Sequence, residues 1–242
     1  MSISFLTISG CWDERPESAV QLAIRLAGFL TELTDTGPIF AAWEWRTRRH
    51  RSAVPLRLTM PPDIDELAAA IDECKGFRPH HGRKTHSKYW VQAGAPDDRQ
   101  PFFSLTLDSN VLGMPDWHEN RADLTILTQS DSRLEQIGVA AAEPALFALI
   151  RAWQPRWAII DTPRNRPPVW RQEKPPRYEG GWVVYLDRVL ASRAQFPDFT
   201  LVESCGDGHL IRATTSGFDV TNDAHQAAAR TIEAAILLLN GT

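Results

Sequence analysis

The chain has 242 residues, of which 43% are hydrophobic and 23% are charged, and its net charge is −4. This composition predicts a globular protein with a sizeable hydrophobic core and excludes an intrinsically disordered chain. The sequence contains no apolar run of the length that a signal peptide or a membrane-spanning helix needs. Its three widely spaced cysteines do not suggest a disulfide framework. We therefore predict a cytoplasmic protein with no membrane partner.

Periodicity predicts alternating strands and helices in the first half of the chain. Residues 2–9 alternate with period two, as a strand does, and a helix is predicted from Pro16 to Leu33. Asp63 is the predicted N-cap of a second helix, because Glu66 follows at capping-box spacing. The buried face of the first helix is predicted to carry Val20, Ala23, Ile24, Ala27 and Leu30. The other predicted strands span 39–45, 56–58, 88–92 and 102–107.

The second half of the chain has a similar order of predicted elements. Residues 124–126 and 155–161 are predicted strands with a helix between them. A helical stretch over 185–194 follows, then a strand pair near 199–203 and 209–214 with a turn at 206–208, and a final helix over 222–239.

These patterns predict the α+β class, with mixed β-sheets and flanking helices. One interpretation divides a single domain over 1–242 into tandem strand-helix-strand-helix-strand-strand units, at 1–110 and 120–215, followed by the helix 222–239. The other interpretation is one irregular domain with no duplication.

The sequence does not point to enzyme chemistry. It has neither a Gly-x-Ser-x-Gly elbow nor a Gly-x4-Gly-Lys-Ser/Thr phosphate loop. His80, His81 and His86 lie among basic residues whose charge opposes a bound cation, so we interpret them as part of a solvated loop. Cys11 precedes a helix but has no identifiable histidine base. We therefore predict no catalytic residues, no metal site and no cofactor.

Nucleic-acid binding is the alternative function. Residues 43–51 interleave two tryptophans with four arginines, a pattern typical of surfaces that combine base stacking with phosphate contacts. Against this alternative, the chain as a whole is acidic, and nucleic-acid-binding domains are commonly basic. Trp43 and Trp45 share one face of a predicted strand, which favours a place in the core or on the sheet.

The charge of the chain is unevenly distributed. Three basic stretches, over 46–57, 78–88 and 164–177, together carry +13, so the rest of the chain carries −17. The simplest interpretation is basic, solvated loops on an acidic body. The alternative is that the acidic body faces a basic partner, because complementary fields steer protein encounter.

One segment resembles a known family. It is Gly180-Gly181-Trp182-Val183-Val184-Tyr185-Leu186, preceded by residues 154–158 (QPRWA) and followed by the Gly-Asp-Gly at 206–208. With residues 37–43 (GPIFAAW) near the start, this arrangement resembles the immunity protein 52 family of bacterial polymorphic toxin systems. The matched family positions are Gly181, Trp182, Tyr185 and Leu186, to which we assign a structural role.

The resemblance implies a non-enzymatic antidote to a nuclease toxin. Such a toxin has a restriction-endonuclease-like domain, is often delivered by type VI secretion, and is neutralised in the cytoplasm of the producing cell. The expected partner is that toxin, and no direct contact with nucleic acid is expected. The candidate contacts are acids and tryptophans in predicted loops: Asp13, Glu14, Asp97, Asp98, Asp116, Glu119, Trp117 and Trp170, with Trp12 as a further candidate anchor.

Overall fold

The computed structural model describes residues 5–13, 15, 17–45, 56–80, 83–96, 102–110, 120–127, 132–161, 180–215, 219 and 222–239. Its helices are α1 (Ala19–Thr36), α2 (Ile64–Glu73), α3 (Ser132–Trp153), α4 (Arg188–Ala191) and α5 (Asp223–Leu238). Its strands are β1 (Phe5–Trp12), β2 (Trp43–Trp45), β3 (Leu56–Leu58), β4 (Lys75–His80), β5 (Arg83–Gly94), β6 (Phe102–Asn110), β7 (Asn120–Leu127), β8 (Trp157–Asp161), β9 (Val183–Asp187), β10 (Leu201–Cys205) and β11 (Gly208–Arg212).

Local hydrogen bonds explain where the helices begin. Ser18 caps α1, because its hydroxyl accepts from the Gln21 amide while the Gln21 side chain accepts from the Ser18 amide. α1 therefore begins after Ser18, three residues later than predicted. Asp63 caps α2 as predicted, with Oδ1 2.9 Å from the Glu66 amide nitrogen. Asn222 caps α5 in the same way.

The described strands form one sheet in the order β10-β11-β9-β8-β1-β7-β6-β5-β2-β3, and β4 pairs with β5 outside that path. The predicted α+β class is confirmed, but the pairings among these strands are all antiparallel rather than mixed. Other strands separate the strands that run in the same direction. α1 connects β1 to β2, but β5, β6 and β7 lie between them in the sheet. α3 connects β7 to β8, but β1 lies between those two strands.

Two hydrophobic cores lie on opposite faces of the sheet. The larger core lies under α1, α2 and α3. In the smaller core, α4 and α5 pack against the other face of the sheet, which carries Cys11 of β1 and residues of β8, β9 and β11. Alternation along β1 explains the division, because Leu6, Ile8 and Trp12 face the larger core while Cys11 faces the smaller one. No helix in the described part of the chain is long and apolar enough to span a membrane.

Three predicted segments differ from the structure. The predicted strand 39–45 is a strand only at Trp43–Trp45, because Pro38–Phe40 forms a 3-10 helix. Tyr185 and Leu186 lie in strand β9 rather than in a helix, and only Arg188–Ala191 is helical there, capped by Asp187. His80 and His86 lie in the paired strands β4 and β5 rather than in a loop, and His81 lies outside the described residues. The strands after α1 and α3 hold different places in the sheet, and the two-unit repeat stays a prediction.

Candidate functional site

Of the acidic and tryptophan contacts predicted in loops, Asp13 lies among the described residues. Its side chain is exposed at the end of β1 and lies 3.1 Å from Nη1 of Arg156. The Asp13 carbonyl accepts from Nδ2 of the buried Asn120 at 3.0 Å, which fixes the backbone. Nε of Arg156 also lies 3.4 Å from Oδ2 of Asp187. Asp13 is thus a well-positioned carboxylate whose charge Arg156 partly offsets.

The other predicted contacts lie outside the described residues: Glu14, Asp97, Asp98, Asp116, Trp117, Glu119 and Trp170. Trp12, the further candidate anchor, is 2% exposed and stacks on Trp153 in the larger core, so it does not contact a partner. Alternation along β1 explains this burial, because Trp12 shares its inward face with Leu6 and Ile8.

A buried ion-pair network holds the segment between β1 and α1. Glu17 is buried, and its Oε1 lies 2.5 Å from Nε of Arg25 and 3.5 Å from Nε of Arg15. The two arginines also donate to the carbonyls of Ala152 and Trp153 at the end of α3, where positive charge is favourable. Burial lowers the pKa of Arg15, although Glu17 opposes the shift. The segment that follows Asp13 is therefore tied to both α1 and α3.

The outer surface of α2 is acidic, a feature missed in the sequence reading. Residues 61–74 contain five acids and no lysine or arginine. All five acids are exposed: Asp63, Asp65, Glu66, Asp72 and Glu73. Asp65 and Asp72 are seven residues apart, as are Glu66 and Glu73, so each pair shares a side of the helix at about 10.5 Å spacing. The signal available in the sequence was the run of acids beside a short apolar stripe.

The outer surface of the neighbouring α1 is partly apolar. Val20 is 49% exposed and Ile24 is 53% exposed, so their predicted place on the buried face is wrong. The buried face is instead formed by Leu22, Ala23, Leu26, Ala27, Phe29, Leu30 and Leu33. This face carries four leucines and a phenylalanine, so burying it removes more apolar surface from water than burying the side with Val20 and Ile24 would.

Gly28 continues this apolar stripe along α1, because residues 20, 24 and 28 are spaced by four. A Cβ built on Gly28 would meet nothing within 4 Å among the described residues outside the adjoining turns of α1. Glycine inside a helix costs about 1 kcal/mol relative to alanine. The packing of the described residues therefore does not explain why position 28 carries no side chain.

The four matched family positions lie where β9 enters the sheet, and all are buried. A Cβ on Gly181 would lie 2.3 Å from the carbonyl oxygen of Ile160, so a side chain has no room there. Trp182 and Tyr185 belong to the larger core and Leu186 to the smaller one. The neighbouring Gly180 lies equally close to the backbone of α5 at Glu233. This element joins β8, β9 and α5.

The buried Tyr185 predicts a loss of stability in alkali. Burial, with smaller contributions from Cys205, Asp187 and Asp207, raises the pKa of Tyr185 to about 12. Because the unfolded chain titrates near 10, the stabilisation is complete below pH 10 and is lost as the pH rises through 12. We expect Tyr185→Phe to reduce this alkaline loss by up to about 2 kcal/mol at pH 11.5. Urea unfolding at pH 9 to 11.5 measures it, and parallel curves for the two proteins would contradict it.

Three sequence-based candidates for chemistry can be compared with the described residues: a metal site, Cys11 and the tryptophans of β2. The described residues contain no group of three histidines, cysteines or carboxylates arranged to hold a metal ion. Cys11 is buried in the smaller core, with Trp157 and Ile159 among the members of that cluster. Trp43 and Trp45 are buried in the larger core, so they do not offer stacking surfaces for bases.

Comparison with known proteins identifies the family. The model of the family described as immunity protein 52 matches residues 7–240. The chain belongs to this family. The match spans the two cores and the Gly181–Leu186 element, and it confirms the resemblance drawn from that element.

A solved structure supports the fold of this immunity protein 52 family member. The chain is similar to the Pseudomonas aeruginosa T6SS protein PA0821, with a TM-score of 0.56 and 12% sequence identity. The similarity covers 95% of this chain and 73% of that chain. At this identity the likeness concerns the fold. No curated protein matches the chain.

Proposed function

We propose that this chain is the antidote to a cognate nuclease toxin with a restriction-endonuclease-like domain. Membership of the immunity protein 52 family over residues 7–240 carries this proposal. Immunity proteins bind their cognate toxins, and we place this binding in the cytoplasm of the producing cell. The fold shared with a T6SS protein supports delivery of the toxin by type VI secretion.

The charge of α2 supports a nuclease as the target. A nuclease surface that holds DNA is basic, because it must bind phosphates. The five exposed acids of α2, with no lysine or arginine among residues 61–74, suit such a surface. The proposed mechanism is occlusion of the DNA-binding or active-site cleft, in which acidic side chains occupy the place of phosphates or the bulk of the protein excludes DNA.

The proposed mechanism needs no catalysis by this chain and no cofactor or metal. Binding alone inhibits the toxin, provided that the complex is tight, and colicin nuclease–immunity pairs reach Kd values of about 10⁻¹³ M or below. The acids and tryptophans predicted in loops, of which Asp13 is the described member, are proposed contacts.

Co-expression with the adjacent reading frame tests the proposal. We expect the product of that frame to stop the growth of a test bacterium, this chain to restore growth, and the two to co-purify as an equimolar complex. A catalytically inactive variant of the toxin serves as the binding control, because it separates complex formation from toxicity.

Two outcomes would overturn the proposal. One is continued toxicity with no complex when both proteins are well expressed. The other is a purified chain that retains DNA and loses it steeply with salt, which would favour the nucleic-acid-binding alternative.

A further inference from the structure

We propose that the outer surface of α1 and α2 is where the toxin's basic, DNA-binding surface docks. This α1–α2 surface consists of Val20, Ile24 and Gly28 of α1 and Asp65, Glu66, Asp72 and Glu73 of α2. The inference rests on the proposed function and states where on this chain the toxin would bind. It differs from the sequence-based contacts, of which Asp13 is the described member.

The position of the two helices makes this one surface. α1 and α2 pack against each other, and both cover the larger core. Leu67, Ala68 and Ile71 of α2 face that core, as do the leucines of α1. The opposite sides of both helices therefore face away from the core, with Val20, Ile24 and Gly28 on α1 and the acids on the adjacent α2.

The apolar stripe has the properties of an interface centre. Val20 and Ile24 are each about half exposed, although seven other residues of α1 are buried. Scattered exposed apolar residues are ordinary on monomers. Here, however, two of them share one stripe with Gly28, a position that carries no side chain.

Gly28 supplies a separate reason to expect a partner. Its backbone is helical, and a Cβ there would meet nothing within 4 Å among the described residues outside the adjoining turns of α1, so neither turn geometry nor their packing requires glycine. A missing side chain on an exposed helix lets another backbone approach closely. A partner at this surface accounts for a residue that otherwise weakens the helix.

Charge complementarity selects the toxin as that partner. The α2 part of the surface carries four acids, and Asp35 adds an exposed acid at the end of α1. Tight interfaces commonly combine an apolar centre with a charged rim, and the charges accelerate encounter. A basic nuclease surface with an apolar projection beside its phosphate-binding groups matches this arrangement.

Neutral substitutions on the stripe test the surface without altering its charge. We expect Ile24→Gln and Gly28→Gln each to weaken binding to the purified product of the adjacent reading frame by about 10–30-fold. Val189→Gln is the matched control, because Val189 is 51% exposed on α4 and lies outside the surface. Isothermal titration gives the Kd values, and thermal unfolding shows that each variant is folded.

A second variant, Asp72→Asn with Glu73→Gln, tests the electrostatic part. We expect it to slow association by about 10-fold at low salt and to reduce the dependence of the rate on ionic strength. Stopped-flow mixing over a series of salt concentrations measures both, and a rate equal to the wild-type rate at every salt concentration would contradict the role given to α2.

The outcomes separate this inference from the proposed function. If the wild-type chain does not bind the toxin, the proposed function fails. If the wild type binds and all three surface variants bind equally well, only the docking surface is overturned. In that case, loss of binding by Asp13→Asn would place the docking surface at the end of β1. If Ile24→Gln abolishes self-association but leaves toxin affinity unchanged, the stripe joins two copies of this chain and the inference is also overturned.

Discussion

Replacing Trp153 with alanine is expected to lower the free energy of unfolding by about 3–5 kcal/mol. Trp153 has no exposed surface, stacks on Trp12 at 5.6 Å and contacts Phe29 edge-on at 4.7 Å. It lies at the end of α3, whose last carbonyls accept from Arg15 and Arg25. Loss of the ring would leave a cavity where β1, α1 and α3 meet.

Urea unfolding followed by circular dichroism measures this effect. Trp153→Phe is the matched comparison, because it retains an aromatic ring and should cost less than the alanine variant. A cost below about 1 kcal/mol for Trp153→Ala would contradict the arrangement, since such small losses are typical of surface positions.

The second large effect is expected for Gly181→Ala, which should destabilise the protein by about 3 kcal/mol. The added Cβ would lie 2.3 Å from the carbonyl oxygen of Ile160, which is backbone within β8 and cannot rotate away. That oxygen also accepts from the Trp182 amide at 3.2 Å. The methyl group therefore forces β8 and β9 apart at the start of their pairing.

Gly28→Ala is the control for Gly181→Ala. Among the described residues outside the adjoining turns of α1, the same methyl group at position 28 would meet nothing within 4 Å, so helix propensity should stabilise the fold by about 0.5–1 kcal/mol. Chemical denaturation of both variants gives the comparison. Equal effects of the two substitutions, or a neutral Gly181→Ala, would contradict the close approach of the strands.

Local signals in the sequence identified many of the elements but not their arrangement. The capped start of α2 and the alternation of β1 depend on neighbouring residues, and both were predicted within a few residues. The place of β1 between β7 and β8 depends on contacts more than 100 residues apart, which no local pattern encodes. The same long-range packing decided which side of α1 is buried, and it reversed the prediction for Val20 and Ile24.

The family was predictable from the Gly181–Leu186 element, and the family match confirms it. The basic partner that the charge distribution suggested as one of two interpretations stays a proposal. The acids chosen from predicted loops left out those of α2, because a helix with an apolar stripe was treated as a core element alone. Helices have two sides, and the outer side of α2 carries the acids.

Inhibition of DNA cleavage tests the central claim most directly. The purified product of the adjacent reading frame is incubated with plasmid DNA and increasing amounts of this chain, with Gly181→Ala as a structurally weakened comparison. We predict that cleavage falls in proportion to the added chain and ends at one equivalent. Full cleavage in the presence of a several-fold excess of folded chain would contradict the claim that this protein neutralises a nuclease by binding it.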